Sequence, residues 1–253
     1  MKRPLTLLTV AILIYLSGCA FLCFAQRSFL YFPTAEAHPR DAVALSLNVA
    51  GETLRVWKSP TDGPDAVLYF GGNAEDVAGN LTVFVAAMPD KSFYLVNYRG
   101  YGGSTGSPSE SALYGDGLAA YDWIQQKHQH VAVIGRSLGT GVATYVAAAR
   151  QVDKLVLITP FDNIENLARK RYWIFPVSLL LTDKFDSAGR VPRITAKTLV
   201  LLAEHDEIIP RGNSDALIAK FPVGQVTVTI VKDTGHNSIG QSPEYAELLR
   251  RFL

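Results

Sequence analysis

The stretch that decides the fold is Val131-Ala132-Val133-Ile134-Gly135-Arg136-Ser137-Leu138-Gly139. Its first four residues form a short apolar run, which is typical of a buried strand. Helical spacing begins at Leu138, so the pattern Gly-x-Ser-x-Gly lies at a strand-to-helix turn. Small residues are needed at 135 and 139 because strand and helix approach closely there. Such a turn exposes the hydroxyl of Ser137 at the carboxyl edge of a sheet, and we predict that this serine is a nucleophile.

The same residues also fit a different pattern, Gly135-x-x-x-Gly139-x-Gly141, which is typical of a dinucleotide-binding turn. That turn normally follows the first strand of its unit, whereas several strands precede it here. In addition, no tyrosine is followed four residues later by the lysine with which short-chain dehydrogenases pair it. We therefore predict no cofactor.

Strand and helix patterns alternate outward from this turn, over residues 43–253. The predicted strands cover residues 45–49, 53–57, 66–70, 92–97, 130–134, 154–158, 196–202 and 226–231. The predicted helices cover residues 73–88, 109–127, 138–150, 215–221 and 243–253. This alternation predicts an α/β fold, with a mainly parallel central sheet and helices on both faces. Residues 160–195 interrupt the rhythm, and we interpret them as a minimal lid or a helix over the site.

Composition excludes several classes of protein. A chain of 253 residues fits one substantial domain, and its 48% of hydrophobic residues excludes extensive disorder. The formal net charge of +1 lacks the basic excess of nucleic-acid-binding proteins, so we predict no nucleic-acid partner. The two cysteines, Cys19 and Cys23, precede the domain, which therefore has no disulfide, Cys-ligated zinc or cysteine nucleophile. We predict no metal, and the sequence carries no signal for the oligomeric state.

Residues 1–26 form a short basic head and an apolar segment. Leu5 to Ala25 carries no charge, and at about 1.5 Å per residue it reaches roughly 30 Å, the hydrocarbon thickness of a bilayer. Two interpretations stay open: an uncleaved signal anchor, or a lipoprotein signal in which Cys19 of Leu16-Ser17-Gly18-Cys19 is lipidated. Both put the domain on the periplasmic, extracytoplasmic side of a membrane, and a soluble secreted protein is the third alternative. Residues 27–42 are interpreted as a lead-in that packs on the domain of residues 43–253.

A serine nucleophile needs a base, which should come later in the chain, with an acid between the two. His236 lies in a loop after the last predicted strand, where the base is expected. The other four histidines fit less well: His38 precedes the core, His128 and His130 are predicted surface residues at the wrong end of a strand, and His205 is interpreted as a local loop residue.

The acid should follow a strand between the serine and the histidine. Asp206 is our choice, because it follows the apolar run that ends at Ala203. Glu204 and Glu207 are neighbours that fit less well. Asp162 is the alternative, although it could equally cap the helix that follows it.

An oxyanion that develops on a carbonyl needs two backbone N–H donors. The first is the amide of Leu138, which follows the nucleophile. The second should come from the loop after the predicted strand at residues 66–70, which reads Gly71-Gly72-Asn73-Ala74. We choose the N–H of Ala74, with that of Asn73 as the alternative.

At this point a family resemblance is clear, and it covers roughly residues 28–253. The chain resembles the α/β-hydrolase serine hydrolases. It is most similar to the membrane-anchored group of depalmitoylating thioesterases and lysophospholipid or monoacylglycerol hydrolases, which has many bacterial members. The stretches that carry the resemblance are Phe29 to Pro33, Gly72 to Ala74, Asn97 to Ser104, Gly135 to Gly139, Phe185 to Ser187, Glu204 to Pro210 and Gly235 to Asn237. Relatives often have His-Gly-Asn where this chain has Gly71-Gly72-Asn73, a change that keeps the backbone donors.

The resemblance implies a serine hydrolase that cleaves carboxylic esters or thioesters through Ser137, His236 and Asp206. A small-molecule or lipid-like acyl substrate fits an enzyme that its N-terminus holds at a membrane. The fold also supports peptidase, amidase, perhydrolase and haloperoxidase chemistry. A non-catalytic binding module that kept these residues is the alternative outside enzymes.

Overall fold

The computed structural model describes residues 2–253, and their side chains from residue 6 onward. The predicted N-terminal segment begins at Met1, which lies outside the described residues. The helices are α1 (Lys2–Leu30), α2 (Leu81–Ala87), α3 (Glu110–Gln125), α4 (Leu138–Ala149), α5 (Ile164–Arg171), α6 (Val177–Leu180), α7 (Arg211–Ile218) and α8 (Pro243–Phe252). The strands are β1 (Val43–Val49), β2 (Glu52–Lys58), β3 (Asp65–Phe70), β4 (Ser92–Val96), β5 (His130–Arg136), β6 (Lys154–Ile158), β7 (Lys197–Ala203) and β8 (Val226–Val231).

All eight strands form one sheet in the order β1-β2-β4-β3-β5-β6-β7-β8. The first two strands form an antiparallel hairpin, and β2 pairs antiparallel with β4. Every other pairing is parallel. The prediction of a mainly parallel sheet is therefore confirmed. Because parallel strands end at the same edge, the loops after β3, β5, β7 and β8 meet there.

Helices cover both faces of the sheet, as predicted. One apolar cluster contains side chains of α3, α4 and α7, and a second contains side chains of α2 and α8. The central strands β3 to β7 are almost entirely buried, because helices lie above and below them. The edge strands β1 and β8 are more exposed.

Helix α1 is apolar along most of its length. Within its part from Thr6 to Leu30, an 18-residue window has a mean hydropathy of 2.4, and among residues 2–253 α1 is the one helix long and apolar enough to cross a membrane. The helix continues past the predicted boundary at residue 26, so the lead-in begins as helix and becomes extended after Leu30. The division of the chain at residues 26 and 42 stays a prediction.

Two predicted helices have different bounds in the structure. The predicted helix at 73–88 begins as a 3-10 turn at Val77–Asn80 and continues as α2. Residue 74 cannot belong to a right-handed helix, because Ala74 has a φ of 57°, and Asp76 caps the 3-10 turn with a ψ of 100°. The helix predicted at 215–221 is α7, which begins at Arg211 directly after Pro210 and ends at Ile218.

The close packing at the centre of the sheet predicts how a cavity there changes the free energy of unfolding. Leu201 in β7 is completely buried. Leu201→Ala should lower the free energy of unfolding by about 2–5 kcal/mol, because it leaves a cavity among rigid neighbours. Denaturant unfolding of the detergent-solubilised chain measures the loss.

Val223→Ala is the matched control, because Val223 lies fully exposed in the loop before β8. It should change the free energy of unfolding by no more than about 0.5 kcal/mol. Equal losses in the two variants would contradict the assignment of β7 to the core.

Candidate active site

Ser137 lies in the tight turn between β5 and α4. Its φ of 49° and ψ of −117° put it outside the regions that side chains favour, and its N–H donates to the carbonyl of Ile158 at 2.9 Å. The flanking glycines make the turn sterically feasible. A Cβ on Gly135 would lie 2.4 Å from the carbonyl oxygen of Gly139, and one on Gly139 would lie 2.1 Å from that of Phe70. The strand-to-helix geometry expected from the sequence is therefore present.

The structure brings Ser137, His236 and Asp206 together. The hydroxyl of Ser137 lies 2.9 Å from Nε2 of His236, and Nδ1 of the same ring lies 2.9 Å from both carboxylate oxygens of Asp206. His236 follows β8 and Asp206 follows β7, so both reach the edge at which β5 delivers the serine. The imidazole is almost completely buried. This geometry orients one ring nitrogen toward the hydroxyl and the other toward a negative charge.

Asp206 is held as a carboxylate by its surroundings. Burial favours its neutral form, but hydrogen bonds from His236 and from the N–H groups of Ile209 and Ile208 outweigh burial and lower its pKa below the ordinary value. The two amides donate to the same oxygen at 2.7 and 3.0 Å. The charge and the orientation of Asp206 are thus fixed before any substrate binds.

Glu207 and Glu204, which fitted the acid role less well, hold the loop of His236 in place. The carboxylate of Glu207 accepts the backbone N–H of His236 at 3.0 Å, which lowers the pKa of Glu207. Glu204 accepts the N–H of Asp233 and pairs with Lys232. The positioning role of Glu207 was missed from the sequence, where only its place one residue after Asp206 pointed to it.

The alternative acid, Asp162, serves a different part of the molecule. It accepts hydrogen bonds from the side-chain amides of Asn166 and Asn213 and so joins α5 to α7. The cap of α5 is Asn163. Asp162 makes no hydrogen bond with His236 among the described contacts, whereas Asp206 lies within hydrogen-bond distance of it.

The other histidines lie away from Ser137. His38, His130 and His205 are exposed, and the last two lie near Asp153 and Glu204. The prediction that His128 is a surface residue is wrong. His128 is buried, its ring packs against the ring of Tyr94, and one ring nitrogen bonds to the hydroxyl of Tyr94 at 2.9 Å.

The loop after β3 faces Ser137 and contains both candidates for the second oxyanion donor, Ala74 and Asn73. A Cβ on Gly72 would lie 3.5 Å from Cβ of Ser137, which shows how closely this loop approaches the serine. The amide of Leu138 is the first of α4 and has no acceptor within the helix. Ala74 and Asn73 line the same cleft as Ser137.

The side chain of Asn73 ties this loop to the end of α1. Its oxygen accepts the N–H of Phe32 at 3.0 Å and the hydroxyl of Tyr101 at 2.8 Å, and its nitrogen donates to the carbonyl of Leu30. Leu30 and Phe32 therefore contact the loop that contains the candidates for the second oxyanion donor.

A partly buried ion pair in the wall of the cleft was missed from the sequence. Glu75 accepts hydrogen bonds from the N–H of Gly72 and the hydroxyl of Tyr69, and it lies 3.3 Å from the guanidinium of Arg136. Arg136 also donates to the carbonyl of His236 at 3.3 Å. The pair therefore connects the loop after β3 with the loop of His236. The sequence contained one weak signal for this pair, the charge of Arg136 at the second position of the Gly-x-Ser-x-Gly turn.

The candidate site opens into a cleft of about 590 Å³. Its lining residues are Phe32, Gly72, Asn73, Ala74, Glu75, Arg136, Ser137, Ile208, His236 and Asn237. None of them comes from residues 160–195. The expectation of a helix over the site is thus wrong for the described residues, because α5 and α6 pack along α1 instead. Among residues 2–253, no group of three or more His, Cys, Asp or Glu is arranged to hold a metal ion.

The order of the strands, the strand-to-helix turn at Ser137 and the positions of the loops together define an α/β-hydrolase fold. Comparison with solved structures agrees: the esterase Pf2001 of Pyrococcus furiosus superposes with a TM-score of 0.74 at 14% identity, over 88% of this chain and 98% of that one. No protein-family model matches the chain.

The chain belongs to the same family as the uncharacterized protein Rv2307c of Mycobacterium tuberculosis. The two are 31% identical over 99% of this chain and 95% of that protein. The lysophosphatidylserine lipase ABHD12 of Xenopus tropicalis is 34% identical over 74% of this chain. The match spans 57% of the length of that lipase.

The ion pair in the wall of the cleft predicts how one substitution changes stability and loop exchange. Glu75→Ala removes an acceptor shared by two loops and leaves Arg136 buried without its partner. The free energy of unfolding should fall by about 3 kcal/mol. Amide hydrogen exchange at Gly72, Asn73 and Ala74 should also become faster, because the loop loses its anchor.

Glu247→Ala is the matched control, since Glu247 forms an exposed ion pair with Arg250 on α8. It should leave the unfolding transition and the exchange of the loop unchanged. Unchanged exchange in Glu75→Ala would show that other contacts hold the loop.

Proposed function

We propose that this protein is a membrane-tethered serine hydrolase. Its proposed substrates are carboxylic esters or thioesters that carry an acyl group. The observation that carries the proposal is the pair of contacts made by His236. One ring nitrogen lies 2.9 Å from the hydroxyl of Ser137, and the other lies 2.9 Å from Asp206. Nucleophilic acyl transfer generally uses a hydroxyl that is hydrogen-bonded to a base, with an acid on the other side of that base.

In the first half of the reaction, Oγ of Ser137 attacks the acyl carbonyl carbon. Nε2 of His236 accepts the hydroxyl proton, and a tetrahedral intermediate forms with its negative charge on the former carbonyl oxygen. Asp206 keeps the Nδ1 proton in place and stabilises the imidazolium. The intermediate collapses when His236 gives its proton to the departing alkoxide or thiolate, which leaves Ser137 acylated.

In the second half, water attacks the acyl-enzyme and gives its proton to His236. A second tetrahedral intermediate collapses, the carboxylic acid leaves, and the proton returns to Ser137. The backbone N–H groups of Leu138 and Ala74 hold the oxyanion in both halves, with that of Asn73 as the alternative. Each such donor typically lowers the barrier by about 3 kcal/mol. The residues need neither a metal nor a cofactor for these steps.

A lipid-like acyl substrate is supported by three features. The cleft beside Ser137 presents the half-exposed side chains of Phe32 and Ile208. The vertebrate relative carries the name lysophosphatidylserine lipase. The apolar helix α1 ends two residues before Phe32, which keeps the cleft close to any membrane that the helix enters. The resemblance to depalmitoylating thioesterases extends the proposed substrates to thioesters.

We propose that α1 anchors the domain at the extracytoplasmic side of a membrane, as a signal anchor or through a lipidated Cys19. Its length and hydropathy support a membrane role. The full-length similarity to a mycobacterial protein supports a bacterial member of the group. No described contact favours the alternative chemistries of the fold or a non-catalytic binding module.

Active-site labelling gives the direct test. A fluorophosphonate probe should label the full chain in membrane fractions, and Ser137→Ala should abolish the labelling. Hydrolysis of a short-chain ester should fall by about 10⁴-fold or more, because the nucleophile is gone while the binding site remains.

Ser178→Ala is the matched control, because Ser178 lies on α6 and hydrogen-bonds to Arg169, away from the cleft. It should keep full labelling. A folded wild-type chain that no probe labels would instead support a binding module, and ligand binding that survives Ser137→Ala would agree with that outcome.

The protonation state of His236 predicts a pH profile. Only a neutral imidazole can accept the serine proton, so kcat/KM should fall when the medium becomes acidic enough to protonate the base. Asp206 should add no second limb in the neutral range, because its lowered pKa keeps it ionised there. Initial rates on a soluble ester measure the profile. A rate that stays flat from about pH 5 to 9, with chemistry limiting, would contradict the role of His236.

A further inference from the structure

The cap, defined here as residues 164–182 with α5 and α6, carries large apolar side chains on its outer tip. Trp173 is 79% exposed, Ile174 is 58% exposed and Leu179 is 85% exposed. Three exposed apolar side chains of such size, within seven consecutive residues, indicate a surface that contacts something apolar.

The cap lies along α1. At its tip, the hydroxyl of Tyr15 donates to the carbonyl of Ile174 at 3.1 Å, and the ring of Tyr15 stacks on that of Phe175. At its base, Gln26 donates to the carbonyl of Leu180 at 3.0 Å and accepts the N–H of Thr182 at 2.8 Å. The contacts thus run along one stripe of the helix.

The two ends of this stripe define how far the cap extends along α1. Tyr15 and Gln26 are eleven residues apart, which corresponds to roughly 16 Å along a helix axis. The apolar part of α1 covers Thr6–Leu30, so the tip of the cap contacts the middle of that part. A bilayer that surrounds α1 must therefore also surround the tip.

The backbone of the tip suits an apolar surrounding, where unpaired N–H and C=O groups are costly. The N–H groups of Tyr172, Phe175 and Val177 donate to carbonyls within the cap. The carbonyl of Ile174 accepts the hydroxyl of Tyr15, a polar group on an otherwise apolar stretch of α1.

The cap carries three basic residues directly before its apolar tip. The last turn of α5 contains Arg169, Lys170 and Arg171. Lys170 reaches back to Asn213 of the domain, and Arg169 pairs with Glu165. Arg171 is exposed, and its long side chain can extend toward lipid phosphates while its stem lies among apolar groups.

We propose that the tip of the cap, residues 172–179, inserts into the acyl-chain region of the leaflet that α1 enters, so that the partner of this surface is the lipid bilayer. The inference rests on the membrane span assigned to α1 under the proposed function. It adds that the domain is embedded through its cap as well as tethered by its helix.

Depth-dependent fluorescence quenching tests the insertion. The chain has three tryptophans, and Trp57→Phe with Trp123→Phe leaves Trp173 as the sole reporter. The full chain is reconstituted in vesicles of phosphatidylcholine and phosphatidylglycerol that carry a nitroxide on the headgroup, on carbon 5 or on carbon 12 of an acyl chain. Trp173 should be quenched more by the acyl-chain nitroxides than by the headgroup nitroxide, and it should be protected from aqueous acrylamide.

Two reporters in chains without the natural tryptophans provide the controls. Leu16→Trp on α1 should be quenched by acyl-chain nitroxides, and Val223→Trp in the exposed loop before β8 should respond to acrylamide alone. Cooperative thermal unfolding of every variant shows that it is folded, independently of any activity.

Each other outcome overturns the proposal in a distinct way. Quenching of the Leu16→Trp reporter without quenching of Trp173 leaves the anchor intact and removes the insertion. Protection of Trp173 from both acrylamide and lipid nitroxides means that a protein, such as a second copy of the chain, covers the tip. If neither reporter is quenched by lipid, the membrane span itself fails, whereas labelling of Ser137 still decides the hydrolase function.

Discussion

The close approach of β5 and α4 at the turn that contains Ser137 is the constraint on which the rest of the structure depends. It forces the serine backbone to a positive φ and allows only glycine at positions 135 and 139. A backbone in that state persists only when its surroundings fix it. Here the carbonyl of Ile158 holds the serine amide, and the neighbouring parallel strands hold β5 on both sides.

The candidate site is assembled from loops that are far apart in sequence, since 99 positions separate Ser137 from His236. Parallel strands make such an assembly simple, because each loop emerges at the same edge of the sheet. Charged side chains keep the loops in register. Glu75 and Arg136 join the loop after β3 to the loop of His236, and Glu207 joins the loop after β7 to the loop of His236. The hydrogen bonds of the candidate reacting groups are thus supported by a layer of polar contacts beneath them.

Local pattern was sufficient to predict the sheet and the strand-to-helix turn, because both depend on short-range periodicity. It also put His236 and Asp206 in loops after strands, and the structure brings both loops to Ser137. Features that arise from contacts between distant segments were not visible. Predicting the pairing of Glu75 with Arg136 would require knowing that β3 and β5 are neighbours. Predicting the burial of His128 would require knowing that Tyr94 contacts it. The late start of α2 depends on the φ of Ala74, which no local propensity for alanine indicates.

The hydrogen bond between Asn73 and the carbonyl of Leu30 has a consequence for how the chain can be rearranged. The last residue of the apolar helix and the loop that faces Ser137 share one side chain, and Phe32 is bonded to the same group. The helix is therefore not an interchangeable module. A replacement of α1 preserves the geometry of the loop only if its junction lies before Leu30, so the boundary between the replaceable part of the chain and the domain falls inside the helix.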